Sequence, residues 1–306
     1  LNIQRLKYLA LHCFDRTIYP RDKSSRLTYI EKYVPAREAS SYKQLVPFNV
    51  WQTWITVHLP PRLSRVINRF RQINPEYSHY LYTNKDCDDF IRKHYSGSDT
   101  EKAYFRINPA FGSARADFWR YCVLYHYGGV YLDIDSTCPI PLRKLIRPND
   151  ASVLSHETNM IRSWEEPLKA LQIKTILDTP PHGSLVDVDR VLLQWLLIYT
   201  PNHPFLKYVI ESTTQAILNF QESDATSRPS SHLLTLALTG PLRYTHSIWM
   251  ALCENPDYVN IFRIDGSDFS GKAVFQFWGQ SDKDYQKTHY SKIYSSFVID
   301  RANHNT

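Results

Sequence analysis

One stretch of this chain constrains its fold more than any other. Residues 113–127 read as a helix, Gly128-Gly129 stops it, and residues 130–135 follow as a strand that ends on two acids, Asp133 and Asp135. Glycine tolerates the left-handed position that closes a helix. At about 100° per residue, Ala114, Phe118, Cys122 and Tyr125 gather on one side, while Trp119 and Val123 cover another. A helix apolar nearly all round is buried. Asp117 and Arg120 share the remaining sector with Tyr121 and Leu124, and buried charges need partners. Two readings stay open: the pair neutralise each other, or they are aimed at a polar ligand beside the strand.

On a strand, side chains alternate. Val130, Leu132 and Ile134 then seal against a helix layer, and Tyr131, Asp133 and Asp135 face the other way. Two carboxylates so close repel each other unless a cation lies beside them. Oxygen ligands of this kind suit Mg²⁺ or Mn²⁺, which bridge to phosphate oxygens. A bare Asp-x-Asp also occurs in solvated turns. The turn glycine and late glutamate of an EF-hand are missing after Asp135.

The rest of the chain alternates helices and strands. Residues 1–45 are charged and aromatic and read as an N-terminal helical arm or stem, with helices over 5–14 and 25–33 around Pro20. Residues 48–52 predict a first strand, and Pro60-Pro61 opens a helix carrying Leu63, Val66, Ile67 and Phe70 at helical spacing. A strand over 79–82 follows. Asn84 then caps a helix through Tyr95, with Asp86 in its first turn. Beyond the acids come a strand over 152–155, a mixed signal over 191–199, helices over 204–220 and 240–253, and strands near 259–264 and 273–277. This alternation, without repeats or a linker, predicts an α/β fold around one sheet.

Composition removes other classes. With 9 glycines in 306 residues, where about 7% is usual, there is no G-x-G-x-x-G and no P-loop, so phosphate binding on glycine loops is not expected. Net charge is +6 with Lys and Arg scattered among acids, which gives no nucleic-acid footprint and suits an anionic ligand such as a nucleotide. The 21 Tyr, 14 Phe and 7 Trp fit either a bulky core or a sugar-stacking cleft. Five cysteines without C-x-x-C set no zinc or disulfide framework. The greasiest stretch, 191–199, is too short to span a bilayer. The chain opens at Leu1 rather than Met, so it reads as a fragment, with a leader or membrane anchor outside it left open.

The run Ala114-Arg115-Ala116-Asp117-Phe118-Trp119-Arg120-Tyr121, with Tyr127-Gly128-Gly129-Val130-Tyr131-Leu132-Asp133-Ile134-Asp135, resembles the DxD sugar-binding region of glycosyltransferase family 32. That family includes fungal α-1,6-mannosyltransferases and mannosyl-inositol-phosphoceramide synthases. It is similar, more distantly, to the glucosylating domains of large clostridial toxins. Val50-Trp51-Gln52-Thr53-Trp54 resembles the family's opening strand and Asn74-Pro75-Glu76-Tyr77 its next segment. Gln194-Trp195 with His203-Pro204-Phe205-Leu206, and Thr239-Gly240-Pro241, resemble later motifs.

The resemblance implies a GT-A glycosyltransferase fold over 46–306, with a Rossmann-like nucleotide-binding half and a mixed central sheet. It implies Asp135 as direct ligand of Mn²⁺ or Mg²⁺. Asp133 would touch donor hydroxyls and hold the metal through water, and Asp117 and Arg120 would bind the transferred sugar. Tyr131 would line the nucleotide pocket, with Trp51, Gln52 and Trp54 near the nucleoside. His289 is the candidate late metal ligand, although the Ser-Trp pair that follows this histidine in the family is absent here.

The implied reaction retains anomeric configuration and moves a hexose, mannose from GDP-mannose first and UDP-sugars next, to a glycan or glycolipid acceptor. No covalent nucleophile is nominated; front-face attack assisted by the departing phosphate is the implied route. A nucleotidyl- or phosphotransferase would need further acidic ligands and a basic phosphate-gripping loop, which the sequence lacks. A non-catalytic carbohydrate-binding relative would keep its affinity after Asp135→Ala. The resemblance implies the Golgi lumen; the absence of any Asn-x-Ser/Thr sequon keeps a cytosolic, viral or bacterial setting open.

Overall fold

The computed structural model describes residues 27–38, 41–160, 190–221, 230–275, 293 and 295–299. Its first half runs β1 (Thr28–Tyr29), β2 (Tyr33–Val34), β3 (Asn49–Trp54), β4 (His58–Leu59), α1 (Pro61–Ile73), β5 (Ser78–Thr83), α2 (Asn84–His94), α3 (Asp99–Arg106), α4 (Gly112–Tyr127), β6 (Gly129–Leu132) and β7 (Ser136–Thr137). The second half comprises β8 (Ser152–Met160), β9 (Arg190–Leu192), β10 (Leu196–Tyr199), α5 (Pro204–Asn219), α6 (Ser231–Leu238), α7 (Pro241–Glu254), β11 (Arg263–Ser267) and β12 (Val274–Phe275).

The main sheet has eight strands in the order β11-β8-β10-β6-β3-β5-β2, with β9 beside β8. β3 is parallel to β5 and β6, and β11 is parallel to β8. β10 is antiparallel to both β6 and β8, so β6 and β8 point the same way. The carboxyl ends of β3, β5, β6, β8 and β11 therefore share one edge, where open α/β sheets take their ligands. This mixed sheet between helical layers bears out the α/β expectation.

Strand alternation divides the core. Trp51, Tyr131, Leu154 and Leu192 meet α2 to α7 in a large cluster on one face. Val50, Val130, Leu132 and Val153 pack on the other, beside a smaller cluster in which Leu63, Val66 and Ile67 of α1 meet Leu59 and Ile134.

The Gly128-Gly129 stop is sterically required. Gly128 has φ +59, and a Cβ there would lie 2.7 Å from Pro201 Cδ and 2.9 Å from Pro47 Cδ. Gly129 has φ +103, and its Cβ would meet the Asn49 carbonyl oxygen at 2.5 Å. Strand β3 can thus lie close against the start of β6 only because the second residue has no side chain.

Several expectations are corrected. Residues 28–29 and 33–34 are strands, not part of a helix over 25–33: Tyr33-Val34 extends the sheet edge by pairing with Tyr80 and His79, and sheet pairing overrides local helical pattern. The helix expected over 5–14 lies outside the described residues. Thr83, not Asn84, caps α2, in a reciprocal capping box with Asp86. The strand expected over 130–135 ends at Leu132, and Asp133-Ile134-Asp135 form a turn into β7. The mixed signal over 191–199 is two strands, because the chain breaks at Leu193–Trp195 to meet α4. The late strand near 259–264 starts at Arg263, residues 256–260 forming a 3₁₀ turn after Pro256. Among the described residues no helix is long and apolar enough to cross a membrane.

Candidate functional site

Helix α4 and strand β6 run side by side from the glycine reversal and set their charged groups face to face. Arg120 Nη2 lies 3.0 Å from Asp117 Oδ1 and 3.0 Å from Asp133 Oδ1. Its guanidinium sits over the Tyr131 ring at 4.4 Å, and the Tyr131 hydroxyl donates to Asp133 Oδ1 at 2.6 Å. The cation that lets the acids approach is therefore supplied by the protein itself for Asp117 and Asp133. Of the two readings of the Asp117–Arg120 pair, the structure shows the mutual ion pair, with Arg120 also held against the acid turn.

Two later segments complete the cluster. Arg120 Nη1 donates to the Gln194 carbonyl at 3.1 Å and to Gln194 Oε1 at 2.9 Å. Gln194 Nε2 donates to the Tyr121 hydroxyl at 2.6 Å, which donates to the Thr239 carbonyl at 2.8 Å. Thr239 Oγ1 closes the circuit on Asp117 Oδ2 at 3.1 Å, and the Asp133 N–H donates to the Trp195 carbonyl at 2.8 Å. The motifs Gln194-Trp195 and Thr239-Gly240-Pro241, unconnected in sequence, thus converge on Asp117 and Arg120. The sequence pointed to these motifs and gave no role to Gln194, Thr239 or Tyr121, because the contacts depend on how β10 and α7 dock.

Burial dominates the electrostatics. It pushes the Asp117 carboxyl up from 3.8 to about 6, with Arg120 opposing the rise and Asp133 adding to it. Burial would lower the Arg120 pKa, but Asp133, Tyr131 and Asp117 outweigh it and hold the guanidinium charged. Asp133 retains 24% side-chain exposure against 5% for Arg120, so the cluster opens to solvent at the acid turn.

The other expected residues divide. Asp135 lies in the same turn, partly exposed. Trp54 packs with Ile134 and the α1 residues at the carboxyl end of β3, alongside this turn. Gln52 lies on the opposite sheet face from Tyr131, 3% exposed, with no hydrogen bond to its amide among the described residues. Trp51 sits in the helix-side core, stacked on Tyr80 at 4.3 Å and Tyr127 at 5.6 Å, with Nε1 donating to the Gly128 carbonyl at 2.8 Å. Its nitrogen and ring faces are engaged by the protein. His289 lies outside the described residues.

For a divalent cation the fit rests on the donor chemistry of the turn. Tyr131 and Arg120 both bind Oδ1 of Asp133, leaving Oδ2 outside those contacts. The Ser136 hydroxyl, next to Asp135, is buried without a hydrogen-bond partner among the described residues. Two carboxylates and a hydroxyl in one short turn are hard oxygen donors, the set Mg²⁺ and Mn²⁺ take. Among the described residues no group of three His, Cys, Asp or Glu converges, so such an ion would complete its shell with substrate oxygens or water.

Residues 60–159 match the family model for a glycosyltransferase sugar-binding region containing the DXD motif. The initiation-specific alpha-1,6-mannosyltransferase of Candida albicans is 30% identical over 184 residues, covering 58% of this chain and 45% of that protein. Inositol phosphoceramide mannosyltransferase 2 of Schizosaccharomyces pombe is 34% identical over 245 residues, covering 78% and 58%. Among solved structures, the PaToxG glycosyltransferase aligns over 84% of this chain and 80% of its own, with 12% identity and a TM-score of 0.42. The chain spans about half the length of the curated relatives it matches.

Proposed function

With residues 60–159 forming a glycosyltransferase sugar-binding region that contains the DXD motif, we propose that this protein is a metal-dependent, retaining hexosyltransferase. It moves mannose from GDP-mannose to a glycan or inositol-bearing glycolipid, in keeping with the names of its mannosyltransferase relatives. A UDP-sugar donor is the second reading. The observation that carries the proposal is the buried Asp117–Arg120–Asp133 cluster opening onto Asp135 at the carboxyl edge of the sheet.

The chemical task is to break a sugar–phosphate bond while negative charge grows on the departing diphosphate. A divalent ion held by Asp135, with Asp133 and Ser136 beside it, would supply Lewis-acid stabilisation of that charge. This chain's own residues do the positioning. Arg120, fixed by five contacts, presents a rigid cationic plane, and Asp117 and Asp133 offer acceptor oxygens to the hydroxyls of the transferred ring. Groups whose orientation is set before the substrate arrives need no reorganisation in the transition state. Trp54, alongside the acid turn, would meet the nucleoside end. Both carboxylates of the cluster are held by Arg120, and we assign neither as a covalent nucleophile; front-face attack assisted by the departing phosphate is the proposed route to retention.

The test is a panel of GDP- and UDP-sugars with Mn²⁺ or Mg²⁺, following release of nucleoside diphosphate. EDTA and Asp135→Ala are each expected to reduce turnover at least hundredfold, and the product anomer read by NMR is expected to match the donor. Turnover untouched by both treatments would remove the metal assignment. An inverted product would remove the retaining one.

A further inference from the structure

We propose that Asp268, with Arg190 and Ser267, forms the subsite that holds the hydroxyl-bearing ring of the acceptor, the Asp268 carboxylate accepting hydrogen bonds from neighbouring ring hydroxyls. The proposal rests on the glycosyltransferase reading above and adds to it where the second substrate sits.

Asp268 follows β11 at the carboxyl edge that also carries the Asp133–Asp135 turn. Between β11 and β6 lie β8 and β10. At about 4.8 Å per strand the two loci are roughly 14 Å apart, room for a transferred hexose and a receiving ring side by side. The Arg190 guanidinium donates to Ser267 Oγ.

The backbone at Asp268 is fixed for a purpose its side chain does not serve inside the protein. Asp268, Phe269 and Ser270 have φ of +48°, +51° and +57° in succession, a conformation non-glycine residues adopt only when their surroundings impose it. The Phe269 ring is buried and its N–H donates to Ser155 Oγ at 2.8 Å. Ser270 Oγ donates to Asp265 Oδ1 at 2.6 Å, and the Ala273 N–H donates to the Asp268 carbonyl at 3.2 Å. No hydrogen bond reaches the Asp268 carboxylate among the described residues, and Arg190 acts on it only through space. Burial accordingly lifts this carboxyl from 3.8 to about 6, with Arg190 opposing. A half-buried carboxylate without donors, next to a guanidinium, matches the needs of a polyol, whose adjacent hydroxyls supply donors to the acid and acceptors to the cation.

The locus is also joined to the acid turn. Val274 and Phe275, just beyond, pair with Thr137 and Ser136, so the segment that carries Asp268 is hydrogen-bonded to the residues following Asp135.

The test uses Asp268→Asn, because asparagine tolerates the left-handed backbone and should keep the fold, checked by an unchanged Tm. The probes are methyl α-D-mannopyranoside and myo-inositol, followed by saturation-transfer NMR on the donor-free protein and, with GDP-mannose and UDP-glucose, by the ratio of transfer to hydrolysis. Saturation of at least one probe by the wild type, reduced fivefold or more in the variant, is expected, with a transfer-to-hydrolysis ratio at least tenfold lower. Probe saturation equal in both proteins, or absent in both, overturns the subsite. A wild type that turns over no donor defeats the glycosyltransferase reading instead, and the NMR result still decides whether Asp268 holds a polyol.

Discussion

Asp117→Asn should make the folded protein more stable above neutral pH while impairing its chemistry. The folded-state carboxyl of Asp117 stands at about 6 against an ordinary 3.8, a rise of roughly two units. At 1.36 kcal/mol per unit, keeping this group ionised in the folded state costs about 3 kcal/mol. The sign follows from the direction of the shift: the folded state binds the proton more tightly than the unfolded one. The group's contribution is therefore most favourable below pH 4, declines as pH rises from about 4 to 6, and is flat beyond. Asparagine removes the charge but cannot accept from both Arg120 and Thr239 as the carboxylate does, a loss of about 1 kcal/mol. The net expectation is a gain of about 1–2 kcal/mol at pH 7.5, shrinking to nothing or reversing near pH 4.5. Urea denaturation of both proteins at half-unit pH intervals reads the difference directly, so other carboxylates cancel. Donor turnover should fall at least tenfold in the same preparation. A variant less stable by more than about 2 kcal/mol at pH 7.5, or a difference that does not change between pH 4 and 7, would refute the argument that burial, rather than pairing with Arg120, dominates Asp117.

Two further outcomes follow from the packing. Trp51→Phe loses the indole donor to Gly128 and weakens two ring stacks, so it should cost about 2–3 kcal/mol in denaturant titration while the donor KM stays within twofold; a tenfold rise in KM at unchanged stability would return Trp51 to the nucleoside pocket. Gly129→Ala drives a methyl into the Asn49 carbonyl at φ +103 and should lose about 3 kcal/mol or more, seen as a lower urea midpoint; a loss under 1 kcal/mol would mean that β3 can withdraw from β6 without penalty.

The helix–glycine–strand unit was legible because everything that forms it is local: apolar residues round α4, a glycine pair at its end, and a short apolar strand. Alternation was carried one step too far, since the strand stops at Leu132 and a turn presents the acids. Sequence periodicity has no signal for where pairing ends; here Asp133 makes the last bond in the β6–β10 register, to the Trp195 carbonyl, and a turn closed by Ser136 N–H on the Asp133 carbonyl takes over. The capping of α2 shows the same limit, Thr83 and Asn84 being equally suitable by type until the Asp86 carboxylate is seen bonding to Thr83. Gln194 and Thr239 were visible as motifs but not as partners of Arg120 and Asp117. Asp268 carried no pattern at all, because its distinguishing marks are a backbone angle and an unspent carboxylate.

The chain reversal at Gly128-Gly129 has a consequence for how the cluster comes together. Arg120 and Asp133 occupy the two limbs of one short bend, so bringing them into register closes only a small loop and loses little chain freedom. Gln194 and Thr239 must be recruited from far downstream. A nascent bend would thus hold its ionic link while still wet, where dissolved salt weakens it, and only later would the distant segments shut water out. Ionic strength would then act on the speed of acquiring the native state and leave the finished molecule largely indifferent.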